Sequence, residues 1–425
     1  MLETIYLVAL IPTTILLVVV LSQYIIITRP KPKAKEPFSL PVTVIIPAYN
    51  EEKYIENTVK SVVDAEYDSD KQIIVINDGS SDNTGSILKR LQRQYPEVTA
   101  LETNHIGKSR AMNEALKIAR NDVVVVIDAD SELEVQSLRN LVRPLKEDGV
   151  AAVGGIVKVK NHKKSPITWF QRLEYLYASF FNSLCDRING NIFTPGPISA
   201  FRKSVVDIEK GFNTKIYLED VDMALRVIKR GYKIRIAEDA IVRTNVPETV
   251  KKWSKQRKRW MKGGIEVIKN HKDIMFKRRF GASGFYPLPL LTYWYFHSIV
   301  MGIVIFSQVF IGYYTWFVLN GAGISIPALQ YFLYWFSALG IFNLIYMIGM
   351  GMLPATPLLI MSISLTLLSY PLYIYPYFRF KEKFMWRDAL ALFFIFPYWI
   401  MVLIIQARSN VNWLRTGIGR NWWTK

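Results

Sequence analysis

The stretch Val123–Glu132, VVVVIDADSE, constrains this chain more than any other. Four valines and an isoleucine run without a polar interruption and end in two aspartates one residue apart. Such a run predicts a strand buried on both faces, as in the middle of a parallel sheet. That strand meets water only at its ends. Asp128 and Asp130 then fall at its carboxyl end, the edge where open α/β sheets bind ligands. Two carboxylates so close repel each other, and a divalent cation with hard oxygen ligands removes the repulsion. The same pair also suits a turn and a helix cap, so the string alone leaves both roles open.

Short apolar runs and amphipathic stretches alternate around this strand. Val42–Ile46, Ile73–Ile76, Val98–Leu101, Val150–Val159 and Lys233–Ile236 are predicted strands. Helical spacing is carried by Ile55, Val59, Val62 and Val63, then by Ile87, Leu88 and Leu91 after the turn residues Ser80, Ser81 and Asp82. It continues in Met112, Leu116 and Ala119, in Leu138, Leu141, Val142 and Leu145, and in Leu218–Arg230. Repeated β-α units predict an α/β domain with a mainly parallel sheet and helices on its faces. Thr168–Leu184 is aromatic-rich and predicts a helix, either covered by the core or lying on a membrane surface.

The two ends have another character. Ile5–Thr28 is apolar and long enough to cross a bilayer. Glu3 precedes it, while Arg29, Lys31, Lys33 and Lys35 follow, which reads as a retained anchor with its carboxyl end cytoplasmic. Arg29–Pro37 reads as a linker. From Phe285 onward the expected spans are Pro289–Val318, Leu329–Met350, Leu358–Tyr377 and Leu390–Gln406. Four spans return the end of the chain to the cytoplasm, in keeping with Arg408, Arg415, Arg420 and Lys425. They also put the basic segment Arg379–Arg387 outside. Either three spans are right, or that segment lies on the inner surface. No Asp, Glu, Lys or Arg interrupts the spans, which argues against an ion-coupled transporter. Thr249–Asn270 is a basic amphipathic helix carrying Trp253 and Trp260, suited to the cytoplasmic leaflet.

This layout divides the chain into an anchor and linker (1–36), an α/β domain (37–246), interfacial helices (247–284) and membrane helices with a basic tail (285–425). The net charge of +18 is concentrated beside apolar spans, so membrane lipid explains it and no nucleic acid is called for. The lone Cys185 excludes an internal disulfide framework and a cysteine-rich metal site, and reads as a small buried hydrophobe.

Polar residues gather where the predicted strands end. Pro47-Ala48-Tyr49-Asn50-Glu51-Glu52 closes the first and suits a nucleotide crevice. Asn77–Asp82 closes the second; Asp78 can accept hydrogen bonds from a base or ribose, and Gly79 permits close backbone approach. Gly107-Lys108-Ser109-Arg110 opens a helix and can meet phosphate oxygens, though not with P-loop spacing. His105 reads as a surface or capping residue. Each is compatible with an ordinary turn, but four in succession point to one ligand-binding edge.

Six strings together closely resemble the family 2 glycosyltransferases. They are Val44–Glu52 (VIIPAYNEE), Val75–Thr84 (VINDGSSDNT), Gly107–Asn113 (GKSRAMN), Val126–Asp130 (VIDAD), Leu218–Asp222 (LEDVD) and Gln256–Trp260 (QRKRW). The resemblance covers Val42–Lys262. The Q-x-x-R-W string is similar to that of membrane-embedded members such as hyaluronan, chitin, cellulose and poly-N-acetylglucosamine synthases. It implies a GT-A (Rossmann-like) catalytic domain beside transmembrane helices, and inverting transfer from a UDP-sugar with Mg²⁺ or Mn²⁺. By that resemblance Asp78 holds the base and ribose side, with Pro47, Tyr49 and Glu51 near the uracil. Lys108 faces the phosphates. Asp128 and Asp130 bind the donor through the metal, Asp130 most directly. Asp220 is the general base and Glu219 orients its loop, although LEDVD alone also suits an acidic helix N-terminus. Gln256 and Arg259 cover the diphosphate, and Trp260 stacks on the acceptor sugar. Gly196 and Pro197 belong to an acceptor-side loop, Thr194–Ser199, which departs from the commoner T-G-x pattern at Pro195.

The resemblance further implies a plasma-membrane enzyme with a cytoplasmic catalytic domain, extending a glycan that passes through its own spans. N-acetylglucosamine is the first sugar to test and glucose the second; an accessory subunit fits the same picture. The alternative is transfer of one sugar to a polyprenyl phosphate or ceramide-like lipid, since ceramide glucosyltransferases carry a related R-W motif. A membrane scaffold or transporter with a merely regulatory sugar-nucleotide domain is disfavoured by intact Asp78, Asp128, Asp130, Asp220 and Arg259.

Overall fold

The computed structural model describes residues 2–31 and 39–416. Linker residues 32–37, the boundary at 36 and the tail residues Arg420 and Lys425 lie outside the described residues. Eight strands form one sheet: β1 Val42–Ala48, β2 Lys71–Asp78, β3 Val98–Thr103, β4 Val123–Val126, β5 Ser131–Leu133, β6 Val150–Val159, β7 Ser199–Arg202 and β8 Lys233–Thr244. Their order is β3-β2-β1-β4-β7-β6-β8-β5. β3, β2, β1 and β4 run parallel, as do β6 and β8. β7 lies antiparallel between β4 and β6, and β5 is antiparallel to β8. The expected mainly parallel α/β sheet is present, with two short antiparallel strands that the sequence pattern did not announce.

Alternate residues of the central strands feed opposite faces, as the pleat requires. Val42, Val44 and Ile46 pack with Ile55, Val59 and Val62 of helix Ile55–Val63 and with Leu88 and Leu91 of helix Thr84–Gln94. Ile45, Val124 and Val126 pack with Ala111, Met112 and Ala115 of helix Lys108–Ile118 and with Met223, Ala224 and Val227 of helix Glu219–Lys229. All four valines of β4 are buried. At about 1.5–3 kcal/mol per fully buried aliphatic side chain, this double layer fixes the strand ends in place.

Helix Pro166–Arg187 is a covered helix. Its Leu173, Leu176, Phe180 and Leu184 pack with Ile156 and Ile236 of the sheet and with Leu372, Tyr377 and Ala391. Cys185 on it is buried and free, as expected. Helix Val250–His271 starts at Thr249, whose side chain accepts from Lys252 N. Its basic face is exposed, but Trp253 is buried against Tyr398 and Val402 rather than turned to lipid.

Among the described residues, three helices are long and apolar enough to cross a membrane: Ala9–Ile27, Pro287–Val318 and Pro357–Arg379. The expected span at Leu329–Met350 is instead two helices, Ile326–Phe336 and Leu339–Gly349, bent by 105°. Ser337 takes an extended backbone between them, and a Cβ on Gly340 would stand 2.1 Å from Tyr334 O. The expected span at Leu390–Gln406 begins earlier, as Trp386–Phe393, and turns by 59° into Ile395–Thr416.

The basic segment Arg379–Arg387 docks on the α/β domain. Glu382 pairs with Arg172 at 2.8 Å, Arg243 at 3.0 Å and Lys158 at 3.1 Å, while Arg172 also holds Asp388 at 2.6 Å. Burial alone would raise the Glu382 carboxyl, but Arg172, Lys158 and Arg243 hold it at about 2.

Candidate active site

The chain leaves β4 after Val126, and Asp128 and Asp130 emerge half-buried at that end. Asp130 Oδ1 accepts from the hydroxyls of Ser131 at 3.1 Å and Thr244 at 3.2 Å. Its carbonyl accepts from Asn245 Nδ2 at 3.2 Å. Asp128 Oδ1 accepts from Lys108 Nζ at 2.7 Å, and the same ammonium stands 2.9 Å from Glu219 Oε1. Lys108 therefore ties the end of β4 to the first turn of helix Glu219–Lys229. Burial alone would lower its pKa, but Asp128 and Glu219 raise it above the ordinary lysine value.

Asp220 sits beside this bridge. Its Oδ2 accepts from Gly196 N at 3.0 Å, its Oδ1 from Val221 N at 2.8 Å, and its carbonyl from Thr194 Oγ1 at 3.1 Å. Burial and Glu219 push the Asp220 carboxyl up to about 7, against the pull of Lys108. A carboxyl poised there can exchange a proton at neutral pH. A Cβ placed on Gly196 would lie 3.2 Å from Asp220 Oδ2 and 3.7 Å from both Asp128 Oδ2 and Lys108 Nζ. Gly196, Asp220, Asp128 and Lys108 thus converge on one small space. Pro197 follows in a turn closed by Ile198 N donating to Pro195 O at 3.0 Å. Gly154 and Gly155 of β6 let this loop lie on the strand: a Cβ there would stand 2.6 Å from Pro195 Cδ and 2.8 Å from Ile198 Cγ2.

Burial, with Asp130, Asp128 and Asp82, pushes Glu51 up to about 7. Burial and Asp128 push Asp130 up to about 6. Glu51, Asp128 and Asp130 thus form an acidic group in which a bound proton or cation relieves repulsion.

The next strand ends lie alongside. Pro47 is half-buried in β1, opposite Ile76 of β2. Asp78, at the end of β2, is buried, and its carboxylate accepts from Thr103 Oγ1 at 2.7 Å, Ile106 N at 2.7 Å and Gly107 N at 2.8 Å. Most of its accepting capacity goes into the loop that launches Lys108. His105 on that loop stacks on the exposed Tyr49 ring, centroids 4.0 Å apart.

Helix Val250–His271 closes another side. A Cβ on Gly263 would stand 2.6 Å from Leu218 Cγ, so this helix lies directly against the residue preceding Glu219 and Asp220. Gln256 and Arg259 line a groove of about 550 Å³ with Tyr217, Lys252, Lys255, Lys258 and Lys262. Trp260 is half-buried, with the Arg257 guanidinium 4.2 Å above its ring and Tyr175 at 6.1 Å. Sequence reasoning placed Thr194 in the acceptor-side loop but missed Tyr175 and Thr244 as neighbours of the site. Nothing in their local strings distinguishes them, because each arrives from a distant part of the chain.

A mainly parallel sheet with its acidic groups gathered at the carboxyl edge, closed by a Q-x-x-R-W helix, defines a ligand-binding α/β transfer domain. Comparison with known proteins fixes the family. Residues 40–263 match the family described as Glycosyltransferase like family 2, and the chain belongs to it. It is 34% identical over 296 residues to a probable glycosyltransferase, YdaM, of Bacillus subtilis, covering 67% of this chain and 70% of that protein. It is 31% identical over 230 residues to the poly-β-1,6-N-acetyl-D-glucosamine synthase of Staphylococcus aureus, covering 53% of this chain and 55% of the synthase. The chain thus spans about half the length of that synthase. A mannosyltransferase of Pyrobaculum calidifontis, solved with GDP-mannose and Mn²⁺, superposes over 100% of both chains with a TM-score of 0.65 at 19% identity. The fold is GT-A and the protein is a glycosyltransferase.

Proposed function

We propose that this enzyme transfers a sugar with inversion from a UDP-sugar, first of all UDP-N-acetylglucosamine, and extends a polysaccharide processively. The observation that carries the reading is Asp220. Its carboxyl, near neutrality, sits within contact of the Asp128–Lys108–Glu219 bridge and two residues past Leu218, which touches the Q-x-x-R-W helix. In this reading Asp220 takes the acceptor hydroxyl proton as that oxygen bonds to the anomeric carbon. The bond from that carbon to the diphosphate breaks and UDP leaves. One base on the far side from the leaving group suffices for inversion. Glu219 and Gly196 N hold Asp220 in place.

Asp78, Pro47, Tyr49 and Glu51 face the base and ribose, Lys108, Gln256 and Arg259 the diphosphate, and Trp260 the acceptor ring. Gly196 and Pro197 shape the acceptor side. Asp130 and Asp128 fit a divalent cation, because repulsion within their acidic group is what such an ion relieves. Among the described residues no group of three or more His, Cys, Asp and Glu forms a ready cage. Asp130 and Asp128 would be the residues that hold the ion. Bound there, Mg²⁺ or Mn²⁺ supplies charge neutralisation for the departing diphosphate.

In this reading the enzyme sits in the plasma membrane with the α/β domain cytoplasmic and the glycan leaving through the membrane helices; the three apolar helices support it. Docking of Arg379–Arg387 on that domain supports one side for both. Sealed inside-out vesicles supplied with labelled UDP-N-acetylglucosamine test this reading. Polymer protected from added glycosidase is expected. Label confined to a one-sugar lipid would favour the non-processive alternative.

A further inference from the structure

We propose that Arg257 is a positioning residue for the acceptor end of the site, and that helix Ile395–Thr416, the longer limb of the bent C-terminal pair, sets it through Tyr398. The inference rests on reading Trp260 as the acceptor platform. Arg257 occupies one of the two unspecified positions of Q-x-x-R-W, so the family resemblance assigns it nothing. It is 1% exposed. A buried guanidinium is costly unless it is paired in good geometry.

The pairing draws on three helices. Arg257 Nη2 donates to Glu174 Oε2 at 2.6 Å, from helix Pro166–Arg187. It also reaches the Tyr398 hydroxyl at 3.4 Å. Tyr398 donates to the same Glu174 oxygen and accepts from Trp253 Nε1 at 3.2 Å. Arg257 Nε and Nη1 have no hydrogen-bond partner. The guanidinium lies instead between two indoles, 4.2 Å from Trp260 and 5.8 Å from Trp253. A flat cation over an indole face is attracted to it, more strongly when water is excluded. The stack covers one face of Trp260 while the ring stays half-buried, so part of it remains open.

Apolar side chains of similar volume often replace a buried ion pair without loss of stability. The ion pair earns its place by orientation. Glu174 and Tyr398 fix the guanidinium plane, and that plane fixes the indole. A shift of helix Ile395–Thr416 moves Tyr398 and tilts the platform, which links the membrane helices to acceptor binding. Lysine would keep the charge opposite Glu174 but has no flat face to stack.

The test uses the full chain in lipid vesicles with Arg257→Lys, Tyr398→Phe and Trp260→Ala. The readouts are UDP affinity, the KM for an N-acetylglucosamine oligosaccharide primer, kcat, and product length. Arg257→Lys and Tyr398→Phe should raise primer KM by about tenfold, shorten the product and leave UDP affinity within about twofold. Combined with Trp260→Ala, Arg257→Lys should add almost nothing, because both act on one platform. Unchanged primer KM in Arg257→Lys and Tyr398→Phe, with Trp260→Ala impaired, overturns the proposal and spares the platform reading. Full additivity in the double variant overturns it as well. Unchanged primer KM in Trp260→Ala overturns the platform reading and this proposal with it. If Arg257→Lys does not fold, Tyr398→Phe decides by the same criteria.

Discussion

As the proposed base, Asp220 should make turnover fall towards acid pH. Burial and Glu219 push its carboxyl up to about 7, above the ordinary aspartate range, and it serves as a base only when ionised. Activity is therefore lost as pH falls through neutrality. A single group with that midpoint is ~10% ionised at pH 6, ~50% at pH 7 and ~90% at pH 8. The expected fall in kcat from pH 8 to pH 6 is about tenfold. The assay is UDP release from purified enzyme in vesicles, with donor and Mn²⁺ saturating so that Glu51 and Asp130 are held ionised. Lys108 is the cation that lowers the Asp220 carboxyl. Lys108→Met should therefore move the acid limb to higher pH as well as weaken turnover. A kcat that stays flat between pH 5.5 and 8 would refute the assignment of Asp220 as base.

Asp220→Asn should abolish transfer while UDP affinity stays near normal; unchanged turnover in a radiolabel assay would remove Asp220 from its role. The carboxyls of Glu51 and Asp130 are raised to about 7 and about 6, so the metal-free fold binds protons that the unfolded chain does not. Its stability should fall as pH rises from 5 towards 8, and Mn²⁺ should raise Tm more at pH 8 than at pH 5. Asp130→Ala should remove most of that Mn²⁺ effect, and an equal Tm gain at both pH values would contradict the metal reading. Gly154→Ala places a methyl 2.6 Å from the stiff Pro195 ring. It should cost about 1–3 kcal/mol in a denaturant titration and lower kcat further by moving the Gly196 loop off Asp220.

The parts of the fold that depend on local pattern were legible in the sequence. β1, β2, β3, β4 and β6 follow their apolar runs, and polar residues at the ends of β1, β2 and β4 fall on one sheet edge as the parallel arrangement requires. Parts that depend on distant partners were not. β7 is four residues long and pairs with β4 and β6 from far along the chain, so no periodicity marks it. β5 is three residues long. The break at Ser337 is invisible to hydropathy, because both flanking helices are apolar and the turn is set by one extended serine and a close-packed Gly340. The charge on Arg379–Arg387 looked like a sidedness signal. Its Glu382 instead answers Lys158, Arg172 and Arg243, residues more than a hundred positions away that carry no motif. Lys108 was legible as a cation at the site, but its double bridge to Asp128 and Glu219 needed the fold to bring β4 and the LEDVD turn together.

The most direct measurement supplies purified full-length enzyme in lipid vesicles, with Mg²⁺ or Mn²⁺, a panel of radiolabelled UDP-sugars one at a time, and sizes the products. The account predicts a ladder or long polymer from one donor, with UDP-N-acetylglucosamine first, and no product from Asp220→Asn. A single labelled lipid of fixed size, or incorporation that survives Asp220→Asn, would contradict it.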